Sequence, residues 1–130
     1  MAKFCTPSDK DMRILERREG KSICITTKFG ARIIPIATLI YVEVHGHNLE
    51  YHLTSEKEPV ELRGSLAQLE AELDPGLFVR ISNSCLVNAD HIRTVDGPVM
   101  RMSNGDELTI SRTKRKGALE ALANYYGGNR

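Results

Sequence analysis

The chain has no tryptophan, and only 5% of its 130 residues are aromatic, so its core must be mainly aliphatic. It also lacks a long apolar run. Residues 33–44 are the most apolar stretch, but Pro35, Thr38 and Glu43 interrupt it. No segment therefore offers the roughly 18 to 20 apolar residues of a membrane-spanning helix. No apolar block follows Lys3, so no secretory signal is visible and we expect a cytoplasmic protein.

Cysteine is scarce as well. The chain has three, Cys5, Cys24 and Cys85, and no pair has Cys-x-x-Cys spacing. An odd number without this spacing does not indicate a disulfide framework or a zinc ribbon. We predict that Cys24 and Cys85 are small buried side chains and that Cys5 lies in a loose terminus.

What is present is an ordinary globular composition, with 41% hydrophobic and 27% charged residues, and a length that suits one domain. The net charge of +1 hides a division along the chain. Residues 1–37 hold eight Lys or Arg against four Asp or Glu, residues 38–79 hold two against eight, and residues 80–130 hold eight against five. This asymmetry is compatible with one face that meets a polyanion, and equally with ordinary solvated surfaces.

The hydrophobic pattern predicts a mostly β fold of short strands joined by tight turns, because alternating and β-branched runs are separated by turn residues. Residues 1–20 read as a tail or linker with one short helical turn around 12–18, and residues 21–130 as the domain. Strands are predicted at 22–28, 31–35, 38–44, 49–54, 58–62, 77–81, 85–87, 92–95, 99–102 and 107–110.

Two helices are predicted. Ser65 and Gln68 form a capping box, which predicts a short helix over residues 65–73 that ends at Asp74-Pro75-Gly76. A second, amphipathic helix is predicted at about 113–126. The apolar positions of this second helix are Leu119, Leu122 and Tyr126.

Histidines raise the possibility of a metal site, since His45 and His47 lie in one loop and His52 lies on the next strand. No cysteine or carboxylate stands at ligand spacing beside them, and there is no His-Glu-x-x-His motif. A zinc site made of these three histidines is therefore a minor alternative, and we predict no resident metal or cofactor.

Catalysis has little support. Ser84 or Cys85 could be paired with His91, but the strand pattern turns Cys85 inward and no glycine-rich elbow accompanies it. The chain also has no glycine-rich phosphate loop. We predict that the protein is not an enzyme.

Polar turns and one basic run are the more informative features. Ser82-Asn83-Ser84 interrupts two apolar strands, and His45-Gly46-His47-Asn48 joins two others. The run Arg112-Thr113-Lys114-Arg115-Lys116 follows a strand and opens a helix, where positive charge opposes the helix dipole. Arginine and lysine on such a rigid corner can meet phosphates, and arginine can also reach the acceptors of guanine. The bland interpretation is a solvated helix start.

These residues resemble the LytTR-type DNA-binding domain of bacterial response regulators. The likeness runs from about Ile23 to Tyr126. Its most specific part is Phe78-x-Arg80-x-x-Asn83-Ser84-x-Leu86-Val87-Asn88, followed by Ile92, the Asn104-Gly105 hairpin and Ile110-Ser111-Arg112. The resemblance implies a β sandwich of packed antiparallel sheets whose loops, not a recognition helix, enter successive major grooves of double-stranded DNA. It also implies transcription regulation, usually by two domains on adjacent direct repeats, hence a homodimer on promoter DNA.

Position by position, the resemblance implies base contacts from His47, Asn48, Asn83 and Arg112. Phosphate contacts are expected from Arg80, Ser82, Lys114, Arg115 and Lys116. One departure concerns the second loop: the family often has histidine immediately before the Asn83 position, and here the residue is Ser82, so we expect this loop to have less reach.

Two further expectations concern the whole protein. The phospho-acceptor receiver domain usual in the family does not precede the domain in this sequence, so either the regulator stands alone or residues 1–20 are part of a linker. The alternative to DNA binding is a β interaction module that binds a protein or peptide along an exposed strand edge. Salt dependence separates the two, because only DNA binding should weaken steeply as salt rises.

Overall fold

The computed structural model describes residues 12–17 and 20–127. The first element is strand β1 (Met12–Arg17), which pairs antiparallel with β2 (Gly20–Thr27). The prediction of a helical turn around residues 12–18 is therefore wrong. The physical reason is tertiary: an edge of β2 offers unpaired backbone groups, and pairing with them overrides a weak local preference.

The rest of the predicted tail, residues 1–11 and 18–19, lies outside the described residues, and so does the prediction for Cys5. Within the described residues, Cys24 and Cys85 are both buried, as predicted. The remaining strands agree with the predicted ones to within two residues. They are β3 (Gly30–Pro35), β4 (Leu39–His45), β5 (Asn48–Leu53), β6 (Val60–Arg63), β7 (Phe78–Ser82), β8 (Cys85–Asn88), β9 (Ile92–Asp96), β10 (Val99–Met102) and β11 (Glu107–Thr109).

These strands form three antiparallel sheets within the described part of the chain. The middle sheet has five strands in the order β6-β5-β4-β8-β7. The other two have three strands each: the first sheet is β1-β2-β3 and the third sheet is β11-β10-β9. The prediction of packed antiparallel sheets of short strands is confirmed.

The five-stranded sheet is buried on both faces at its centre. Successive side chains of a strand point to opposite faces, so Val42 and Leu86 pack on one side while Tyr41 and Val87 pack on the other. The first side faces β2, β3 and the first helix. Its core residues include Ile23, Ile34, Leu49, Tyr51, Leu66, Leu69 and Phe78. The second side faces the third sheet and the last helix. Its core residues include Val79, Ile81, Met100, Met102, Leu108, Ile110 and Leu122.

Helix α1 (Leu66–Glu72) is confirmed where the capping box predicts it. The Ser65 hydroxyl accepts a hydrogen bond from the backbone N–H of Gln68 at 3.4 Å, and Leu66 and Leu69 are buried. The helix covers one side of the core, and its Glu70 carboxylate pairs with Arg80 on β7.

Helix α2 (Arg115–Gly127) is also confirmed, but it buries a different face from the one predicted. A short 3-10 helix (Arg112–Lys114) precedes it. Leu119 and Tyr126 are exposed, whereas Leu122 packs in the core. The buried stripe keeps Leu122 but otherwise lies one residue before the predicted positions. The members of this stripe are Ala118, Ala121, Leu122 and Tyr125.

Among the helices that the structure describes, none has the length and apolar character needed to cross a membrane.

Candidate nucleic-acid interface

Three of the predicted contact segments lie at one end of the five-stranded sheet. Because β4, β8 and β7 are neighbours and antiparallel, the end of β4, the start of β8 and the end of β7 meet at the same edge of the molecule. Backbone hydrogen bonds tie the segments together: Val44 N–H donates to the Ser84 carbonyl at 2.8 Å, and Ser111 N–H donates to the Ile81 carbonyl at 2.8 Å. The sheet and these hydrogen bonds thus bring together a first and a last segment that are at least 64 residues apart in the sequence.

The first segment is the tight hairpin turn between β4 and β5, which we call the first loop (residues 45–48). His45 pairs with Asn48, and Gly46 takes a positive φ of 65° that ordinary residues avoid. His47 is exposed at the tip. The Asn48 amide Nδ2 donates to Glu61 Oε2 at 3.0 Å, so its orientation is fixed by a residue on β6.

The second segment is the turn between β7 and β8, the second loop (residues 82–84). The Ser82 hydroxyl accepts a hydrogen bond from the Ser84 N–H at 3.2 Å and so holds the turn closed. The strand register shifts between Arg80 and Ser82, which places Asn83 at the exposed tip. A short hydroxyl at position 82 thus serves the turn itself.

Arg80 braces the second loop from below. Its Nε donates to the Ser82 carbonyl at 2.8 Å, its Nη2 donates to the Asn83 carbonyl at 2.9 Å, and its Nη1 pairs with the Glu70 carboxylate on α1. The fork of donors on a guanidinium suits such a many-partnered contact. Sequence reasoning placed Arg80 at a phosphate and missed this bracing role, because nothing in the sequence shows that Glu70 of α1 comes beside the loop.

The third segment is the basic corner, residues 112–116. The Ser111 hydroxyl accepts from the Lys114 N–H at 3.3 Å and caps the 3-10 helix that starts at Arg112. Arg112, Arg115 and Lys116 are exposed and Lys114 is half-buried. Within the described part of the chain, no side chain of these four forms a hydrogen bond or ion pair, whereas Arg32, Arg80 and Arg101 are all paired with glutamates.

The first loop has an acidic surrounding. Glu61 accepts from both Asn48 and, at 3.1 Å, the Nδ1 of His45. The hydrogen bond from Asn48, followed by that from His45, lowers the pKa of the Glu61 carboxyl below its usual value, because both favour the ionised form. The loop therefore carries hydrogen-bonding groups next to fixed negative charge.

The three-histidine zinc site that the sequence offered as a minor alternative is not formed, since His47 belongs to neither of the metal-ligating clusters found in residues 12–17 and 20–127. The clusters that do form combine histidine with glutamates. They are Glu43 with Glu50 and His52, and His45 with Glu50 and Glu61. The sequence hides them because Glu43, Glu50 and Glu61 come from three strands whose register brings them opposite one another.

The paired nucleophile and base considered from the sequence do not meet. Burial, helped by Glu43, raises the pKa of the Cys85 thiol to about 12, so the thiol is not activated as a nucleophile. His91 is held elsewhere: its Nδ1 lies 2.8 Å from the Ser103 hydroxyl and its Nε2 lies 2.8 Å from the Ala37 carbonyl oxygen. Its contacts are structural ones that join the third sheet to the segment before β4.

Comparisons with known proteins agree with the resemblance. The sequence model of the LytTr DNA-binding domain matches residues 30–123. A solved structure, the LytTr DNA-binding domain of a Bacillus cereus protein described as a methyl-accepting/DNA response regulator, superposes with a TM-score of 0.66. It is 21% identical, and the match covers 78% of this chain and 95% of that one, so it shows a shared fold. The search of curated proteins found no match.

The family match spans most of the chain, including the first loop, the second loop and the basic corner. The chain belongs to the LytTr DNA-binding domain family, whose members are non-catalytic and bind DNA in transcription regulation.

Proposed function

We propose that this domain is a sequence-specific transcriptional regulator of the cytoplasm that reads the major groove of double-stranded DNA with the first loop, the second loop and the basic corner. The observation that carries the proposal is that these three segments lie at one end of a single sheet. One of them, the basic corner, carries four basic side chains that have no partner among the described residues. Such unpaired charges are what phosphate binding requires.

Base reading is assigned to the exposed tips. Arg112 projects from a capped corner, so its guanidinium can donate two hydrogen bonds to the O6 and N7 atoms of one guanine. His47 and Asn83 are exposed and offer both donor and acceptor groups. Asn48 keeps one amide N–H and its carbonyl oxygen available while the other N–H is held by Glu61, so the amide is preorganised for a base edge.

Phosphate binding is assigned to Lys114, Arg115 and Lys116. Their charges flank Arg112 and fix how the domain lies on the duplex without reading its sequence. The Ser82 hydroxyl, half-buried in the second loop, supplies a further phosphate contact. Arg80 contributes through its charge and by holding the loop, since three of its N–H groups are already engaged with Ser82, Asn83 and Glu70.

On DNA, we propose that two copies occupy adjacent direct repeats in a promoter. One domain offers three segments in a row, in the order first loop, second loop and basic corner, which suits one side of a duplex over a limited length. A second copy doubles the contacts without a new interface on the protein. A footprint on the DNA that flanks the gene for this chain would give the length and spacing of the protected sites.

The decisive variant is Arg112→Ala, compared with Arg112→Lys on the footprinted site. We expect Arg112→Ala to cost about 1 to 3 kcal/mol and to relax the preference at one base pair. Arg112→Lys keeps the charge, so it should restore general affinity and leave the base preference relaxed. Affinity is measured by fluorescence anisotropy on the cognate site and on single-base substitutions. Unchanged binding by Arg112→Ala would remove the base-reading role.

A further inference from the structure

A cluster of metal-ligating side chains lies on the five-stranded sheet beneath the first loop, outside the segments assigned to DNA. Glu43 on β4 stands opposite Glu50 on β5, and His52 follows two residues later on the same face of β5. Their ligand atoms all lie within 4.8 Å of one another. The cluster is half-buried, with 24% of the Glu50 side chain and 17% of the His52 side chain exposed.

Two features of this cluster are unfavourable for the protein alone. Like charges directly opposite on neighbouring strands destabilise a sheet, and the Glu43 carboxylate forms no hydrogen bond or ion pair with any of the described residues. The His52 Nε2 atom is buried and has no hydrogen-bond partner within the described residues; its nearest carboxylate oxygen, Glu50 Oε1, is 3.6 Å away. A cation bound between these groups would give the buried nitrogen a partner and would offset the repulsion between the two facing carboxylates.

We propose that Glu43, Glu50 and His52 bind one divalent transition-metal ion, for which Zn²⁺ is the probe. Bonds of about 2.0 to 2.2 Å in a tetrahedral site place ligand atoms about 3.3 to 3.6 Å apart. The separation of 3.6 Å between His52 Nε2 and Glu50 Oε1 already fits this spacing. An imidazole with two carboxylates suits Zn²⁺ or Mn²⁺, whereas Mg²⁺ prefers an all-oxygen site. Water takes the remaining position, since the side chains of the cluster are partly exposed.

The ligands are held in place by a second layer of contacts, as metal sites require. The Tyr41 ring stacks on the His52 ring, with 4.1 Å between centroids and 10° between planes, and the Tyr41 hydroxyl donates to Asp106 at 2.9 Å. The His45 Nδ1 atom lies 3.3 Å from Glu50 Oε2 and so engages the oxygen that does not face His52. These contacts fix the imidazole plane and the carboxylate before the ion arrives.

The overlapping cluster of His45, Glu50 and Glu61 is the weaker site. His45 is 65% exposed, and Glu61 is already satisfied by hydrogen bonds from Asn48 and His45. An ion there would have to displace these bonds. The half-buried cluster has no such bonds to lose at Glu43 or at His52 Nε2.

Metal binding also bears on DNA, a consequence that rests on the function proposed above. Glu43 pairs with Cys85, the residue after the second loop, and lies two residues before the first loop. A divalent ion offsets two negative charges beneath both loops, so Zn²⁺ should raise DNA affinity, by an amount that falls as salt rises.

The site is tested without DNA. Untagged protein is freed of metal with EDTA, exchanged into chelator-free buffer and titrated with Zn²⁺ against a chromophoric competitor. We expect one equivalent to bind, and Glu43→Gln and His52→Ala each to weaken it by at least about tenfold. Glu58→Gln, an exposed carboxylate on the loop before β6, is the control that should bind as wild type. Mg²⁺ at the same concentration should not compete.

Several results would overturn the site. Wild-type protein that binds no Zn²⁺, or Glu43→Gln and His52→Ala variants that bind as wild type, would remove it. Loss of binding in Glu61→Gln with normal binding in His52→Ala would place the ion in the exposed cluster instead. Circular dichroism of each variant verifies the fold. If His52→Ala unfolds, Glu43→Gln still tests the site, because glutamine has nearly the shape and size of glutamate. If Zn²⁺ binds but leaves DNA affinity unchanged, only the coupling between metal binding and DNA affinity is overturned. This outcome is independent of the Arg112→Ala result.

Discussion

The first loop and the basic corner lie at the same end of the sheet but differ in almost every electrostatic respect. The loop presents amide and imidazole groups beside Glu50 and Glu61, with which they form hydrogen bonds or ion pairs. The corner presents four cations that have no acidic partner among the described residues. Under the proposed function, the two regions contribute differently to DNA binding. The corner would supply phosphate contacts and, through Arg112, one base contact, whereas the loop would read bases where neighbouring carboxylates oppose general attraction to DNA.

The strongest way to break this comparison is to remove the charge of the corner. Replacement of Lys114, Arg115 and Lys116 by alanine should weaken binding to all DNA sequences and flatten the slope of log affinity against log salt by about 0.9 per lost phosphate contact. The fold should not suffer, because alanine favours the helix and cations oppose its N-terminal dipole.

The measurement is anisotropy at several salt concentrations on cognate and scrambled duplexes. Lys57→Ala is the matched control, since Lys57 is an exposed cation in the loop after β5, at the opposite end of the sheet. An unchanged salt slope in the triple variant would show that the corner does not meet phosphates.

The second test concerns the brace of the second loop. Arg80→Ala should lower the free energy of unfolding by about 1 to 3 kcal/mol, because it leaves two loop carbonyls and the Glu70 carboxylate without their charged donor. Arg101→Ala removes an exposed pair with Glu107 and should cost only about 0 to 1 kcal/mol.

Urea unfolding gives the two stabilities, and hydrogen exchange at Asn83 and Ser84 reports the order of the loop. DNA selectivity should fall in Arg80→Ala and stay intact in Arg101→Ala. Equal effects of the two substitutions would mean that Arg80 is an ordinary surface ion pair.

The smallest expected effect lies at the first loop and depends on pH. The pKa of Glu61 is held below its usual value in the folded state, so the stabilisation from its hydrogen bonds is present above the ordinary pKa of 4.5 and is lost as pH falls through the lower folded value. Asn48→Ala removes the hydrogen bond that lowers the pKa of Glu61 most, so this pKa should rise towards its ordinary value.

An NMR titration of the Glu61 carboxyl carbon checks this shift directly. Glu58, an exposed glutamate in the preceding loop, serves as the reference in the same spectra. If the Glu61 titration were identical in wild type and Asn48→Ala, the asparagine would not be oriented by the carboxylate, and the proposed preorganisation of the loop would fail.

Local signals in the sequence predicted most of the fold. The Ser65 capping box, the Gly46 turn and the Asn104-Gly105 hairpin each act within a few residues, and all three appear where predicted. The buried face of α2 differs from the predicted one because the position of the neighbouring sheet determines which side of the helix is buried. Strand β1 was missed because its pairing partner, not its own pattern, determines it.

The candidate site was predictable in its residues but not in its arrangement. The polar turns and the basic run stand out by composition, yet only the strand order β4-β8-β7 brings them to one end. The partners that define what each side chain can do come from distant segments: Glu70 for Arg80, Glu61 for Asn48 and Glu50 for His52. Long-range pairing of this kind has no signature in a single sequence.

Strands β4 and β8, which carry the first and second loops, contribute to both hydrophobic cores. The strand segments that carry the loops therefore separate only if both cores come apart, and the amide protons of core residues such as Val42 and Leu86 should exchange through global unfolding. A duplex that binds at this end meets loops that have already lost most of their conformational freedom during folding. Little ordering entropy remains to oppose association, so even a short contact surface can be selective.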